Sequence, residues 1–94
     1  MYALSFDMDV SDLTASYGEP YNKAYYEIKA LLKADGFEWI QGSTYITRSE
    51  GLAALFRAIM HLRQIPWFVA SVRDIRGYRV EEWSDFTSLV KNII

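Results

Sequence analysis

The sequence predicts an α+β fold in which helices cover one face of a four-stranded antiparallel sheet, and three patterns support this. Residues 2–9 alternate between bulky apolar and small or acidic side chains, as in a strand with one buried face. Apolar residues recur at steps of three and four within residues 20–36 and 49–66, as in amphipathic helices. Gly42 and Ser43 lie between two β-rich runs, which favours a tight hairpin. With one further β-rich run after the second helix, the order is β-α-β-β-α-β.

The predicted helices carry recognisable start and stop signals. Pro20 suits the first position of the first helix, and Gly36 suits a left-handed cap at its end. Ser49 is expected to cap the second helix, which ends before Pro66. The predicted buried stripe of the second helix consists of Leu52, Leu55, Phe56, Ile59 and Leu62.

The remaining segments complete one domain. Residues 10–18 are polar and are expected to form a connection, while residues 67–71 fit either a helical turn or the lead-in to a strand. The alternation of the last strand slips at Gly77, where we expect a bulge. Ser84 is expected to cap a C-terminal helix with Phe86, Leu89, Val90 and Ile93 on one face. The prediction is therefore a single ferredoxin-like domain over residues 1–94, with two helices on one face, the first and third strands central and an additional C-terminal helix.

Composition restricts the class of protein. The chain has 94 residues, of which 51% are hydrophobic and 23% charged, so it can build the core of one domain. Its aromatic content of 16% is high for this size and suggests self-association. Cysteine is absent, and neither a signal peptide nor a membrane-spanning run is expected. We therefore expect a cytoplasmic homodimer with no membrane association.

Charge is distributed unevenly along the chain. Residues 1–47 carry three lysines and seven acidic residues, whereas residues 48–79 carry all six arginines and two acidic residues. A basic strip on a mildly acidic protein suggests an anionic partner. The equally weighted alternative is that these arginines pair with acidic residues of the first half, within one subunit or across a dimer.

Several catalytic motifs are absent. The sequence contains no Walker loop, GxGxxG, HExxH or GxSxG pattern. His61 is the single histidine, which excludes histidine-rich metal sites. Because it shares a polar helix face with Arg57 and Gln64, a solvated surface histidine is a better interpretation than a catalytic one.

Asp7 is the most suggestive single residue, because it lies near the end of the predicted central strand on the face away from the helices. If two copies packed through that face, their Asp7 carboxylates could meet near the two-fold axis and hold a divalent metal such as Mg²⁺. The alternative is a strand-end carboxylate that accepts hydrogen bonds from loop N–H groups. Asp9 shares the face of Asp7, whereas Asp12 is expected to cap the loop.

Hydroxyl and guanidinium groups provide further candidates. The Ser43 and Tyr45 hydroxyls could orient a phosphate or protonate a leaving group, or the two could be a turn residue and a core-edge aromatic. Arg73 and Arg76 fall on the last strand, and arginine is a frequent phosphate ligand. Together with Arg48 they are the predicted RNA contacts.

Five segments of the chain resemble one known family. The opening MYALSFD (1–7), the middle GFEWIQGSTY (36–45) and the late SVRDIR (71–76) resemble the virulence-associated protein D (VapD) family, as do GEPYNKAY (18–25) and EWSDFT (82–87). The resemblance implies a ferredoxin-like dimer with endoribonuclease activity, similar to small CRISPR-associated nucleases that place an aspartate at the end of the first strand. Asp7 matches that aspartate, and the resemblance leaves metal dependence open. The catalytic roles that the resemblance suggests fall on Asp7, Ser43, Tyr45 and Asp74.

The sequence is therefore compatible with two functions. The first is an endoribonuclease that cleaves single-stranded RNA and acts as the toxin of a toxin–antitoxin pair, with the dependence on Mg²⁺ left open. The second is a non-catalytic dimeric module that binds RNA or a protein partner such as an antitoxin. Because one fold hosts many activities, fold class does not separate them. Cleavage of RNA, and its loss when Asp7 is replaced, would do so.

Overall fold

The computed structural model describes residues 1–92 and confirms the predicted α+β fold. In chain order the elements are β1 (Tyr2–Met8), α1 (Val10–Tyr17), α2 (Lys23–Ala34), β2 (Glu38–Gln41), β3 (Thr44–Thr47), α3 (Leu52–Arg63), α4 (Pro66–Ser71), β4 (Val72–Arg79) and α5 (Thr87–Lys91). The segment left open by the sequence is the short helix α4. Within residues 1–92, no helix is long and apolar enough to cross a bilayer.

The four strands form one antiparallel sheet in the order β2-β3-β1-β4, with β1 and β3 in the centre as predicted. The predicted hairpin joins β2 and β3, since Gln41 pairs with Thr44 across the turn Gly42-Ser43. Gly42 has a φ of 51°, a conformation that favours glycine. The strand order is that of a ferredoxin-like fold.

The core lies between the helices and the face of β1 that carries Leu4, Phe6 and Met8. Phe6 stacks on Tyr45 with ring centroids 6.1 Å apart and meets Phe68 edge-on at 5.5 Å. Other buried members of this cluster are Leu13, Ala24, Ile28, Leu32, Phe37, Leu55 and Leu62. The alternation in residues 2–9 therefore identified the buried face of the central strand.

Gly77 is explained by close packing and not by a bulge. The register of β1 with β4 is unbroken past Gly77 and shifts between Asp7 and Met8. A Cβ added at Gly77 would lie 2.8 Å from Cδ2 of Leu55. The predicted bulge position is wrong because the gap in the alternation marks the place where a helix side chain presses on the strand.

Residues 10–18, predicted to be a connection, largely form helix α1. Asp9 caps this helix, because its Oδ1 accepts a hydrogen bond from the Asp12 backbone N–H at 2.9 Å. The capping role expected of Asp12 therefore belongs to Asp9. Leu13 is the buried residue of α1. One buried residue in two turns leaves too little apolar periodicity to predict a helix.

The helix starts also differ from prediction. Helix α2 begins at Lys23, because a turn in which the Lys23 N–H donates to the Pro20 carbonyl precedes it. Helix α3 has Gly51 as its N-cap, and Ser49 only accepts a hydrogen bond from the Gly51 N–H at 3.4 Å. Gly36 follows the end of α2 with a φ of 89°, as predicted.

Helix α3 buries a different stripe from the predicted one. Its buried residues are Ala54, Leu55, Ala58 and Leu62. Leu52 and Phe56, both predicted to be buried, are 61% and 68% exposed. The two alanines allow the helix to approach the sheet closely, so the contact face turns toward them and away from the larger side chains.

The C-terminal helix α5 begins later than predicted. Asp85, not Ser84, provides the cap-like contact, since its Oδ1 accepts a hydrogen bond from the Thr87 N–H at 2.9 Å. The predicted apolar residues Phe86, Leu89 and Val90 are exposed, and Ile93 lies outside the described residues.

The face of the sheet away from the helices is only partly open. Ala3 and Ile46 point away from the helix-covered core, yet they are 2% and 1% exposed. Both line a groove whose opposite wall is the C-terminal segment 83–91. The expectation of a bare sheet face is therefore corrected: the chain covers the Ala3 half, and the half that carries Asp7 is exposed.

Candidate active site

Two carboxylates face each other across the last pair of strands. Asp7, at the end of β1, is the register partner of Asp74 on β4, and both residues are exposed. Directly opposed residues on antiparallel strands have Cβ atoms about 4.5–5.5 Å apart, and like charges in these positions repel each other. The arrangement therefore favours a cation between the two side chains.

Arg76 supplies positive charge beside this pair. It is the register partner of Ser5, two pairs along the ladder, so it lies on the same sheet face as Asp7. Its Nε lies 3.7 Å from Oδ1 of Asp74. Both side chains are well exposed, and such ion pairs contribute only about 0–1 kcal/mol. The guanidinium can therefore exchange its carboxylate partner for a phosphate at little energetic cost.

Asp9 and Arg73 form a second pair just beyond the strand. Arg73 donates to Oδ2 of Asp9 at 3.0 Å, while the other Asp9 oxygen caps α1. The hydrogen bond from Asp12 N–H, and then that from Arg73, hold the pKa of Asp9 below its usual value. Asp9 is thus committed to local structure, and Arg73 is held beside the Asp7 end of the sheet.

The two predicted hydroxyl groups lie in different places. The Ser43 carbonyl accepts a hydrogen bond from the Phe6 N–H at 3.2 Å, which places the hairpin turn beside the end of β1. Tyr45 pairs with Leu4 and is 3% exposed on the helix-covered face. Burial raises the pKa of its phenol. The structure therefore brings Ser43 close to the Asp7 end of the sheet, while Tyr45 packs beneath the helices.

Several arginines pair with acidic residues of the first half of the chain, as one of the two charge hypotheses expects. Arg48 lies 3.4 Å from Glu38, at the end of the sheet remote from Asp7. Arg57 and His61 both contact Asp35, at 3.8 Å and 2.8 Å. The Arg73–Asp9 pair follows the same pattern. The basic strip is thus partly neutralised within one subunit, and His61 is half-exposed with a carboxylate partner.

Tyr25 is a residue that sequence reasoning did not select. It is half-buried on α2, and its pKa is raised first by burial, then by Tyr21 and by the negative charge of Asp7. Its phenol therefore lies within electrostatic reach of the Asp7 carboxylate. The sequence places Tyr25 on a helix stripe and contains no signal that this turn of α2 faces the end of β1.

A metal ion at this site would need ligands besides the acidic side chains of one subunit. Among residues 1–92, no three acidic or histidine side chains are placed to hold a metal ion together. Asp7 and Asp74 provide two carboxylates, and Mg²⁺ commonly takes its other ligands from water and substrate phosphates. The pair is chemically suited to that ion.

Comparison with known proteins gives the chain a family. No protein-family model matches it. An endoribonuclease VapD from Dichelobacter nodosus is 56% identical over 91 residues, covering 97% of this chain and 98% of that protein. Namesakes from Helicobacter pylori and Haemophilus influenzae are 52% and 44% identical, each over 98% of this chain and 100% of their own length. Because these matches extend through almost the whole sequence, the chain belongs to the VapD endoribonuclease family.

Proposed function

We propose that this protein cleaves single-stranded RNA at the Asp7–Asp74 pair. One observation carries the proposal: two exposed carboxylates oppose each other at a strand end, with Arg76 beside them. A carboxylate in this position can accept a proton from an attacking hydroxyl or water, and a guanidinium can bind the phosphate that is attacked. The relatives that match over nearly their full length are named endoribonucleases, which supports the same reaction class.

Mg²⁺ is part of the proposal. Asp7 and Asp74 would hold the ion, with the remaining ligands supplied by water and the substrate phosphate. When bound, the ion supplies positive charge that stabilises the phosphate in the transition state. Neither Asp7 nor Asp74 caps a helix, so both carboxylates are available to the ion. Asp9, in contrast, is already occupied.

The protein acts as a homodimer in this proposal. The exposed part of the sheet around Ser5 and Asp7 offers small side chains over which a second copy can pack closely. Symmetric packing there would bring the two Asp7 carboxylates toward one axis. RNA would then run along the edge strand β4, past Arg73 and Arg76.

A role as the toxin of a toxin–antitoxin pair completes the proposal. Leu52, Phe56 and Met60 recur every fourth residue along α3 and are 61%, 68% and 36% exposed. An exposed apolar stripe on a helix is a common docking surface for an amphipathic partner helix. This stripe lies on the helix layer, away from Asp7. An antitoxin bound there would hold the protein from the helix layer and leave the carboxylates themselves uncovered.

The test is a cleavage assay on end-labelled single-stranded RNA with the wild type, Asp7→Asn and Glu81→Gln. Glu81 is an exposed acidic residue after β4 and is the matched control. We expect Asp7→Asn to lower the cleavage rate by about 100-fold or more, the usual contribution of a positioned acid or base, while Glu81→Gln has no effect. A chelator should abolish cleavage by the wild type, and added Mg²⁺ should restore it.

The outcomes separate the two functions. Cleavage by Asp7→Asn at the wild-type rate would remove Asp7 from the mechanism. RNA binding without cleavage under any metal condition would favour the non-catalytic module. Induced expression in a bacterial host addresses the toxin role, since growth should slow with the wild type and not with Asp7→Asn.

A further inference from the structure

A groove of about 830 Å³ lies between the sheet and the C-terminal segment. Its floor is the sheet face that also carries Asp7, and its outer wall comes from residues 83–91. We propose that this groove binds an unpaired nucleobase of the RNA on which the Asp7–Asp74 pair acts. The inference rests on the proposed function and extends it to a site of base recognition.

Aromatic rings line the groove and are unusually accessible. Trp39, Tyr78, Trp83 and Phe86 are 48%, 45%, 38% and 64% exposed. Tyr78 belongs to the sheet floor, whereas Trp83 and Phe86 belong to the opposite wall. Rings on two sides of a groove can hold a planar base between them, and stacking on aromatic side chains is how proteins commonly bind single-stranded nucleic acid.

Polar groups in the same groove suit the edge of a base. Asp85 lines it, and hydrogen bonds from the Thr87 hydroxyl and then from the Thr87 backbone N–H lower the pKa of its carboxyl. The carboxylate can also accept a hydrogen bond from a base amino group. Gln41, on the hairpin side, offers both a donor and an acceptor. A base edge presents donors and acceptors of this kind.

The groove and the carboxylate pair lie on the same face of the sheet. Asp74, Arg76 and Tyr78 occupy alternate positions of β4 and therefore face the same way. The four residue steps from Asp74 to Tyr78 span about 13 Å at the usual strand rise. An RNA strand lying along β4 would pass from the carboxylates over Arg76 to the groove within a few nucleotides.

The chemistry of the walls favours a base over a second copy of the chain. Asp85 and Lys91 both line the groove, and the buried centres of protein interfaces are depleted of charged residues. A nucleotide, by contrast, can use both signs: its base edge can donate to the carboxylate, and its phosphate can pair with the ammonium group of Lys91.

The test measures binding apart from cleavage. Full-length Asp7→Asn protein is titrated with a short single-stranded RNA, and with an oligonucleotide of equal length and charge that lacks bases, while tryptophan fluorescence is followed. We expect quenching by the RNA and not by the abasic strand, because Trp39 and Trp83 line the groove. In the same background, Tyr78→Ala and Trp83→Ala should weaken RNA binding about tenfold, as measured by polarisation of a labelled strand.

The matched control is Tyr26→Ala, which removes a 68%-exposed aromatic ring from α2 outside the groove and should bind RNA like the parent. Circular dichroism confirms that each variant is folded. Unchanged affinity in both groove variants, or equal quenching by the abasic strand, would overturn the inference. The inference would also fail if a groove variant no longer dimerised, as measured by light scattering, but kept its RNA affinity. The groove would then be a contact between two copies of the chain. Base-dependent binding by a protein that never cleaves RNA would defeat the proposed function only.

Discussion

The two faces of the sheet differ in what they contribute. On the helix-covered face, Leu4, Phe6 and Tyr45 are buried in a continuous apolar core. On the other face, one half is covered by the C-terminal segment, and the other half exposes Asp7 and Asp74. Because successive side chains of β1 point in opposite directions, Phe6 and Asp7 are chain neighbours with separate roles. One strand therefore contributes core residues on one face and a proposed catalytic residue on the other, and substitutions at alternate positions should affect stability or activity separately.

The largest expected effect tests the covered face. Leu4 is fully buried, so Leu4→Ala should lower the free energy of unfolding by about 2–5 kcal/mol in urea denaturation. Ser5→Ala, one position along and on the other face, should change it by no more than about 0.5 kcal/mol. Similar losses in the two variants would mean that the faces are not energetically distinct.

A smaller effect of opposite sign tests the exposed face. Asp74 opposes Asp7 directly, so Asp7→Asn should relieve repulsion and raise stability by about 0.2–1 kcal/mol, even as RNA cleavage falls. Asp74→Asn should gain less, because it also loses the weak ion pair with Arg76, and the double variant should gain less than the sum. Thermal melts of the four proteins measure this. Loss of stability in both single variants would show that the carboxylates are structural.

The smallest effect concerns the boundary between the faces, and it depends on pH. The pKa of Asp9 is lower in the folded state than its unfolded value of 3.8. The ionised carboxylate therefore stabilises the fold at pH values above 3.8, and this contribution is lost as the pH falls through the folded-state pKa. Asp9→Asn should therefore be less stable than the wild type near neutral pH, with the difference shrinking in acid. Unfolding curves from about pH 7 to pH 3 measure the difference, and a gap that does not depend on pH would contradict the ion pair with Arg73.

Much of the fold followed from local signals. The hairpin was specified by Gly42, and the buried face of β1 by strict alternation, because both signals act within a few residues. The buried stripe of α3 was misassigned because Ala54 and Ala58 are weakly apolar, yet their small size decides which face meets the sheet. Helix α1 depends on a cap at Asp9 and a single buried leucine, a pattern too short to register as periodicity.

Of the candidate site, Asp7 was predicted from its own place in the sequence, Asp74 through the family resemblance, and Arg76 as a phosphate ligand on the last strand. Asp7 stands out because its strand is central and ends there. Its pairing with Asp74 depends on the register between β1 and β4, which shifts right beside it. A slip of one residue would move Asp74 to the other face, and no local pattern fixes that choice. The groove under the C-terminal segment could not be anticipated either, since it joins parts distant in sequence.

The position of β4 at the margin of the sheet has a consequence for solubility. An edge strand has unpaired backbone N–H and C=O groups that can pair with a strand of another molecule, and charged side chains commonly prevent this. Arg73, Arg76 and Arg79 give β4 that protection. Neutral replacements made to test the proposed RNA contacts should therefore promote edge-to-edge association of sheets, whereas lysine keeps the positive charge and still removes the guanidinium fork.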